Sequence, residues 1–442
     1  MTQDKALAIL KAGRNIFLTG SAGTGKTHVL NTYIKYLNKY KIPLAVTAST
    51  GIAATHIKGQ TIHSWAGMGI KDDMSIKDLH KLNSNKALKR KIEKVKVLII
   101  DEISMLHQKQ LNLVDKILQF IKDSNHAFGG VQIVLCGDFF QLPPIGNGYE
   151  LSRDKFAFMS ESWVNADLNI CYLTEQFRQN NNQLSLILDE IRLNQISETS
   201  KNLLDSAINS STQISTPIRL YTHNADVDRI NQEELKKIDA PEKNFWATTK
   251  GKKDLVDALK KSVIVGEKLS LKIGAKVMFV KNNQDKGYIN GTLGTVIGFS
   301  EIGFPIVKTS LKKEIIATTE EWSIDNETGT SIASFIQIPL RLAWAITIHK
   351  SQGMTLDAAE LDLTKTFEKG QGYVALSRLR AIENLKLIGY NQTALQIDQL
   401  ALKADIRFKE LSDLLDQETD LKALEKELET FRLASGGLKF MK

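Results

Sequence analysis

Two hydrophobic patterns alternate along this chain. Short apolar runs, Ile16-Phe17-Leu18, Pro43–Ala48, Val97–Ile100 and Val131–Cys136, carry the β-rich residues of buried strands. Between them lie stretches with helical spacing: one opening at Thr2–Ala6 with Thr2 as N-cap, then His28–Tyr40 and Ser104–Lys122. A first α/β domain is expected over residues 1–165. The Lys-rich stretch Lys71–Lys96 is too charged for core and reads as a small excursion from the sheet. Leu173–Arg178 starts a second unit, followed by a strand at Pro217–Tyr221 and a helix at His223–Lys237. From Lys268 to Ile338 short β-rich runs are broken by Gly and Asn, as in a small inserted barrel. The α/β texture resumes at Pro339. It predicts a helix over Leu342–Ser351, a strand over Ala358–Leu363, a helix over Gly372–Arg378 and a strand over Leu385–Ile388. The leucine-bearing tail Gln399–Leu433 sustains no heptad and reads as a packed pair of helices.

A length of 442 residues allows about two to four domains. The formal charge of +8 suits a polyanionic partner, although an ordinary basic protein has the same balance. Cys136 and Cys171 both lie in or beside apolar runs, so they read as buried thiols, and two cysteines build no metal cluster. No apolar stretch approaches a membrane span. The expectation is a soluble, intracellular protein without membrane association, of bacterial cytoplasm or of a eukaryotic nucleus or mitochondrion.

One stretch carries explicit chemistry. Gly20-Ser21-Ala22-Gly23-Thr24-Gly25-Lys26-Thr27 fits G-x-x-x-x-G-K-[ST] between a predicted strand and a predicted helix. Its glycines let successive N–H groups converge on a phosphate, and the helix adds its positive end. Lys26 is placed to reach the β- and γ-phosphates and Thr27 to offer a hydroxyl to Mg²⁺. Asp101-Glu102 ends a buried strand, a costly place for two carboxylates unless they act. Asp101 is assigned to Mg²⁺ and Glu102 to the attacking water. Gly137–Pro144 brings Asp138 and Gln141 to the same sheet edge, where Gln141 is placed to sense the γ-phosphate or the water. Taken alone, Gln3 reads first as a surface residue and second as an adenine reader. His63 and Trp65 are split between packing and nucleic-acid contact. Arg178 and Arg378 stand in uncharged contexts. Each reads as a γ-phosphate ligand from a second domain or as half of an internal salt bridge.

Taken together, these motifs resemble a superfamily 1 helicase of the PIF (petite integration frequency) family, relatives of RecD. Gln3 is similar to the Q motif and Gly20–Thr27 to the phosphate loop. Ser49–Ala54 and Thr61–Trp65 resemble single-strand contact motifs. Asp101-Glu102, Gly137–Pro144 and Glu175–Arg178 match the metal-and-base pair, the glutamine motif and the first arginine motif. Ala345–Thr355 matches the DNA-binding fifth motif and Tyr373–Arg378 the final arginine motif. The family's signature stretch departs. Here it reads Gln110-Leu111-Asn112-Leu113-Val114-Asp115-Lys116-Ile117-Leu118-Gln119, with the apolar spacing and Lys116 but few of the charges.

The resemblance implies an α/β fold of two RecA-like domains with parallel sheets, the second over 166–225 and 339–442. A wedge near 66–92 interrupts the first, and an SH3-like β-barrel within 226–338 interrupts the second. It implies catalytic Lys26, Asp101, Glu102, Gln141, Arg178 and Arg378. The nucleotide set adds Gln3, Gly20, Ser21, Ala22, Gly23, Thr24, Gly25, Thr27, His28 and Gly353, with Mg²⁺ on Thr27 and Asp101. DNA contacts fall to Thr50, Gly51, His63, Thr347, His349 and Ser351. The implied activity is ATP-driven 5′-to-3′ movement of a monomer on single-stranded DNA. Duplex, forked and G-quadruplex DNA are the implied substrates, and single-strand-binding or replication proteins the implied partners. Two rivals remain: a translocase that remodels nucleoprotein with little unwinding, and a nucleotide-gated switch that holds DNA without stepping.

Overall fold

The computed structural model describes the chain apart from residues 58, 70, 145, 147–148, 178–181, 209–216, 264, 282, 284, 289, 310–311, 326–330, 357 and 439–442. Two compact units emerge, Met1–Ser211 with Leu363–Lys442, and Thr212–Asp362.

The first unit is organised by a six-stranded sheet in the order β3-β2-β4-β5-β1-β6. Its strands are β1 (Ile16–Gly20), β2 (Leu44–Ala48), β3 (Gln60–Thr61), β4 (Val97–Asp101), β5 (Gln132–Cys136) and β6 (Asn169–Leu173). Their ladders are parallel. The sheet therefore extends past residue 165, with Ile16 in register with Asn169. Alternation along β1 sends Ile16 and Leu18 to one face and Phe17 to the other. On the first face they join Ile9 and Leu10 of α1 (Gln3–Lys11) and Leu30, Tyr33 and Leu37 of α2 (Lys26–Lys39). On the second, Phe17 packs 4.8 Å from Trp163 and 5.1 Å from Phe408. Leucine-scale burial on both faces, about 25 cal/mol per Å² of apolar surface, holds such a sheet closed to water.

The helix expected from Ser104 starts later, as α3 (Gln108–Lys122) after a tight turn at Ile103–Met105. The reason is local. Glu102 is left-handed at φ 52, and the His107 ring caps the new helix by accepting from Lys109 N–H at 3.1 Å. α3 also anchors the excursion, which forms two helices, Ile76–Ser84 and Lys86–Lys94. Lys116 donates to Asp73 Oδ1 at 3.0 Å and Met74 O at 2.7 Å, and Gln110 to Asp72 Oδ1 at 3.1 Å. Lys116 of the signature stretch thus has a packing partner.

Later in the unit come α4 (Asn182–Leu193), α5 (Gln371–Leu376), α6 (Gln399–Glu418) and α7 (Leu421–Ala434). α6 lies along β6, where Ser412 Oγ accepts from Tyr172 N–H at 3.0 Å and satisfies an edge amide. α7 packs Leu424 and Phe431 on the α1–α2 cluster. Cys136 and Cys171 are buried free thiols.

The second unit has two parallel ladders and several antiparallel ones. Ile218–Tyr221 pairs in parallel with Ala345–Thr347 and with Ala359–Leu363. The helix expected over Leu342–Ser351 is instead two short strands, Leu340–Leu342 and Ala345–Thr347, and one turn of helix, Ile348–Ser351. A short apolar run has no periodicity to separate strand from helix, and here pairing decides. A five-stranded antiparallel sheet runs in the order Glu314–Ile316, Pro305–Thr309, Leu293–Phe299, Lys276–Phe279, Leu340–Leu342. Val277, Phe279, Val296, Val307 and Leu340 form its core. Among the described residues no helix is long and apolar enough to cross a membrane.

Candidate nucleotide and nucleic-acid sites

The phosphate loop is shaped by what its glycines exclude. Gly20, at φ 142, ends β1, and a Cβ there would lie 2.6 Å from Leu173 O. Gly25, at φ 81, caps α2, and a Cβ there would lie 2.1 Å from Gln3 Nε2. No L side chain suits either place. Gln3 Nε2 donates to Thr24 O at 3.0 Å, so α1 is tied to the loop. Thr24 Oγ1 donates to Ser21 O at 2.9 Å and braces the turn past Gly23. Lys26 Nζ donates to Gly20 O at 2.7 Å and Ser21 O at 3.0 Å, and burial draws its pKa down. Thr27 and His28 are exposed on the first turn of α2. Phe177, within the Glu175–Arg178 motif, donates its N–H to Gly23 O at 3.0 Å. Its ring is 60 % exposed and lies 3.7 Å from a Cβ built on Gly25.

The acids sit at the end of β4, with β5 between β4 and β1. Adjacent strands lie about 4.8 Å apart, so loop and acids lie at the same carboxyl edge of the sheet, where open α/β sheets bind ligands. Ser49 clamps both residues: its N–H donates to Asp101 O at 3.1 Å and its Oγ to Glu102 O at 2.7 Å. Glu102 N–H donates to Asp101 Oδ1 at 2.9 Å. Burial pushes the Asp101 carboxyl up, against bonds from Cys136 and Glu102 N–H and the field of Lys26. Among the described residues no three His, Cys, Asp or Glu side chains cluster as a metal cage. One buried carboxylate, Asp101, with a hydroxyl offered by Thr27, fits Mg²⁺, which keeps water and phosphate as its other ligands.

The glutamine motif follows β5. Gln141 is buried, and its Oε1 has no partner among the described residues. An orphaned buried acceptor suits a ligand or a water, and Gln141 lines a small cavity with Phe140, Lys155, Glu368 and Asp398. Asp138 folds the turn, accepting Phe140 N–H on Oδ1 at 3.2 Å and Gln141 N–H on its carbonyl at 3.0 Å. Helix α5 closes over it. Tyr373 OH accepts from Ala22 N–H at 3.2 Å and donates to Asp138 Oδ2 at 3.0 Å. Arg378, two residues past α5, is buried, its Nε donating to Val374 O at 2.9 Å and its Nη2 to Ser377 Oγ at 2.9 Å. Asp101, Glu102, Gln141 and Arg378 thus share the first unit with Lys26. Arg178 lies outside the described residues.

Of the residues assigned to DNA, Thr50, Gly51 and His63 belong to the first unit. Thr50 Oγ1 accepts from Ala53 N–H at 3.2 Å, and Gly51 is exposed with open space around it. His63 is half-buried on a turn capped by Thr61, whereas Trp65 is buried beneath the Lys91 ammonium, 5.5 Å from the ring centroid. In the second unit Thr347 and Ser351 are buried in local bonds, Thr347 capping Ile348–Ser351 and Ser351 Oγ donating to Ile348 O at 2.8 Å. His349 and Lys350 are half-buried. Burial lowers the His349 pKa, and burial with Arg341 brings Lys350 down to about 8. Gly353 is left-handed at φ 79 and exposed.

Comparison with known proteins gives a consistent picture. A family model described as PIF1-like helicase matches residues 3–213, and one described as DNA helicase Pif1, 2B domain, matches residues 254–299. The ATP-dependent DNA helicase Pif1 of Psychrobacter sp. (strain PRwf-1) is 46 % identical over 99 % of this chain and 75 % of its own length. The protein of the same description from Bdellovibrio bacteriovorus is 33 % identical over 90 % of both chains. Among solved structures, Pif1 helicase from Candida albicans superposes with a TM-score of 0.85 at 32 % identity, over 92 % of this chain and 98 % of that one. A Bacteroides Pif1 helicase in complex with ADP-AlF3 and ssDNA gives 0.73 at 30 % identity, over 94 % and 97 %.

Proposed function

The chain belongs to the PIF1-like helicase family, and from that premise we propose that it is an ATP-dependent DNA helicase moving 5′ to 3′ on single-stranded DNA. Its substrates are duplex, forked and G-quadruplex DNA, met as a monomer, with single-strand-binding or replication proteins as partners. One observation carries the reading. Tyr373, on the helix leading to Arg378, bonds both the phosphate loop at Ala22 N–H and the glutamine-motif turn at Asp138, and the charges of Asp138 and Glu102 act on Lys26.

The chain's own groups divide the work. Backbone amides from Gly23 to Thr27 and the start of α2 hold the β- and γ-phosphates, with Lys26 between them. Gln3 reads the adenine edge and Phe177 stacks on its face. Glu102 accepts a proton from the attacking water, which Gln141 orients. Arg178 and Arg378 oppose charge on the transferred phosphoryl group. Thr27 and Asp101 would hold Mg²⁺, which supplies charge neutralisation at the phosphate oxygens when bound.

The parallel strands of Ile218–Tyr221, Ala345–Thr347 and Ala359–Leu363 support a second RecA-like domain, within bounds narrower than 166–225 and 339–442, since β6 and Leu363–Lys442 belong to the first unit. The antiparallel strands support the SH3-like insertion, and the helices near 66–92 the wedge. Thr50, Gly51 and His63 on the first unit, and Thr347, His349 and Ser351 on the second, are the residues assigned to DNA. Lys350, cationic at neutral pH, joins them. Contacts of this kind hold phosphates and stacked bases with little sequence preference.

Steady-state ATP hydrolysis tests the reading. Turnover should rise at least about tenfold, an order-of-magnitude expectation for closure of a phosphoryl-transfer site, when single-stranded oligonucleotide is added. Turnover indifferent to DNA would contradict it.

A further inference from the structure

Arg192 belongs to none of the motifs, yet it is 4 % exposed at the centre of the first unit. Its Nη1 donates to Asp138 Oδ1 at 3.1 Å, to Oδ2 at 3.0 Å and to Tyr373 OH at 2.8 Å. Its Nη2 donates to Tyr172 OH at 2.6 Å and Asp405 Oδ1 at 3.2 Å. Tyr172 OH donates onward to Asp405 Oδ2 at 3.3 Å, and Lys409 pairs with the same oxygen at 3.0 Å. The guanidinium lies 4.3 Å from the Phe140 ring centroid. One planar fork therefore joins five elements: α4, the glutamine-motif turn, α5, β6 and α6.

The charges balance, Arg192 and Lys409 against Asp138 and Asp405. Balance alone is weak evidence for stability, because burying ions is costly and apolar residues often serve as well. What distinguishes this cluster is where its arms end. Asp138 folds the turn that presents Gln141. Tyr373 holds the crown of the phosphate loop at Ala22 and begins the turn that ends at Arg378. Gly370, just before α5, packs so tightly that a Cβ would lie 2.7 Å from Phe140 O. Displacing the guanidinium would release the Gln141 turn and α5 together.

We propose that Arg192 is a positioning residue for ATP hydrolysis. It fixes Gln141 and the Arg378 helix against the phosphate loop, and through Asp405 makes that register depend on the docking of α6. This role rests on the hydrolytic function proposed above. A lysine at 192 reaches one aspartate but cannot bridge two. Asp405→Asn, on α6, removes one arm with little change of shape. Tyr373→Phe removes only the hydroxyl.

The test is DNA-stimulated ATP turnover by Arg192→Lys, Asp405→Asn and Tyr373→Phe, with kcat and KM separated and melting temperature measured alongside. Loosening the site by an ångström costs about 100-fold, so kcat of Arg192→Lys should fall by about that factor with KM nearly constant. Asp405→Asn should lower kcat in the same way, by a smaller factor. If Arg192→Lys does not fold, Asp405→Asn and Tyr373→Phe decide. Folded variants with wild-type kcat, or a loss of melting temperature alone, would overturn the positioning role. A wild-type chain without turnover would overturn the function itself and this role with it.

Discussion

Glu102→Gln is expected to reduce ATP turnover by about 10²–10⁴-fold, the usual contribution of a general base, while nucleotide and DNA binding persist. Glu102 follows the last residue of β4 in the left-handed region, at φ 52 and ψ 48. That conformation is uncommon for a residue with a Cβ and is sustained by its surroundings. Here Ser49 Oγ holds the Glu102 carbonyl and Asp101 Oδ1 holds its N–H. The backbone is thus pinned on both sides, and a glutamine of the same length would occupy the same place without a basic oxygen pair. Turnover by single-strand-stimulated ATPase assay and affinity by fluorescent-nucleotide titration separate the two effects. Normal hydrolysis would sink the assignment of the base.

The second large effect is expected at Arg378. An arginine that meets transition-state charge is worth about 10³–10⁵ in phosphoryl-transfer rate. Arg378→Ala should therefore lower kcat by about 10³-fold with a much smaller change in nucleotide affinity. Arg378→Lys should recover little. The side chain is buried, with Nε on Val374 O and Nη2 on Ser377 Oγ, so a fork is anchored where an ammonium would make a single contact. Melting curves guard against a folding defect. An unchanged kcat in a folded variant would make Arg378 a structural group.

What was legible in the sequence was what is contiguous. Gly20–Thr27 needs no distant residue to announce itself, and strand, loop and helix fall where the pattern sets them. Asp101-Glu102 is conspicuous because carboxylates at the end of an apolar strand are costly. Arg192 was invisible for the opposite reason. It meets Asp138 across 54 residues and Asp405 across 213, and in the sequence it stands outside every motif. Phe177 likewise reads as ordinary until its N–H is seen on Gly23 O. Leu342–Ser351 departs from its helical pattern for another cause: Ala345-Ile346-Thr347 is too short for periodicity to speak, and its pairing with Ile218–Tyr221 supplies the information. The start of α3 moved because capping by His107 outweighed a pattern that ran on to Ser104.

Strand displacement on two duplexes, one with a 5′ single-stranded tail and one with a 3′ tail, reads most directly whether ATP hydrolysis becomes directed motion. Unwinding of the 5′-tailed duplex alone, dependent on hydrolysable ATP, is the expected result. Unwinding from the 3′ tail, or vigorous hydrolysis with neither duplex opened, would contradict it.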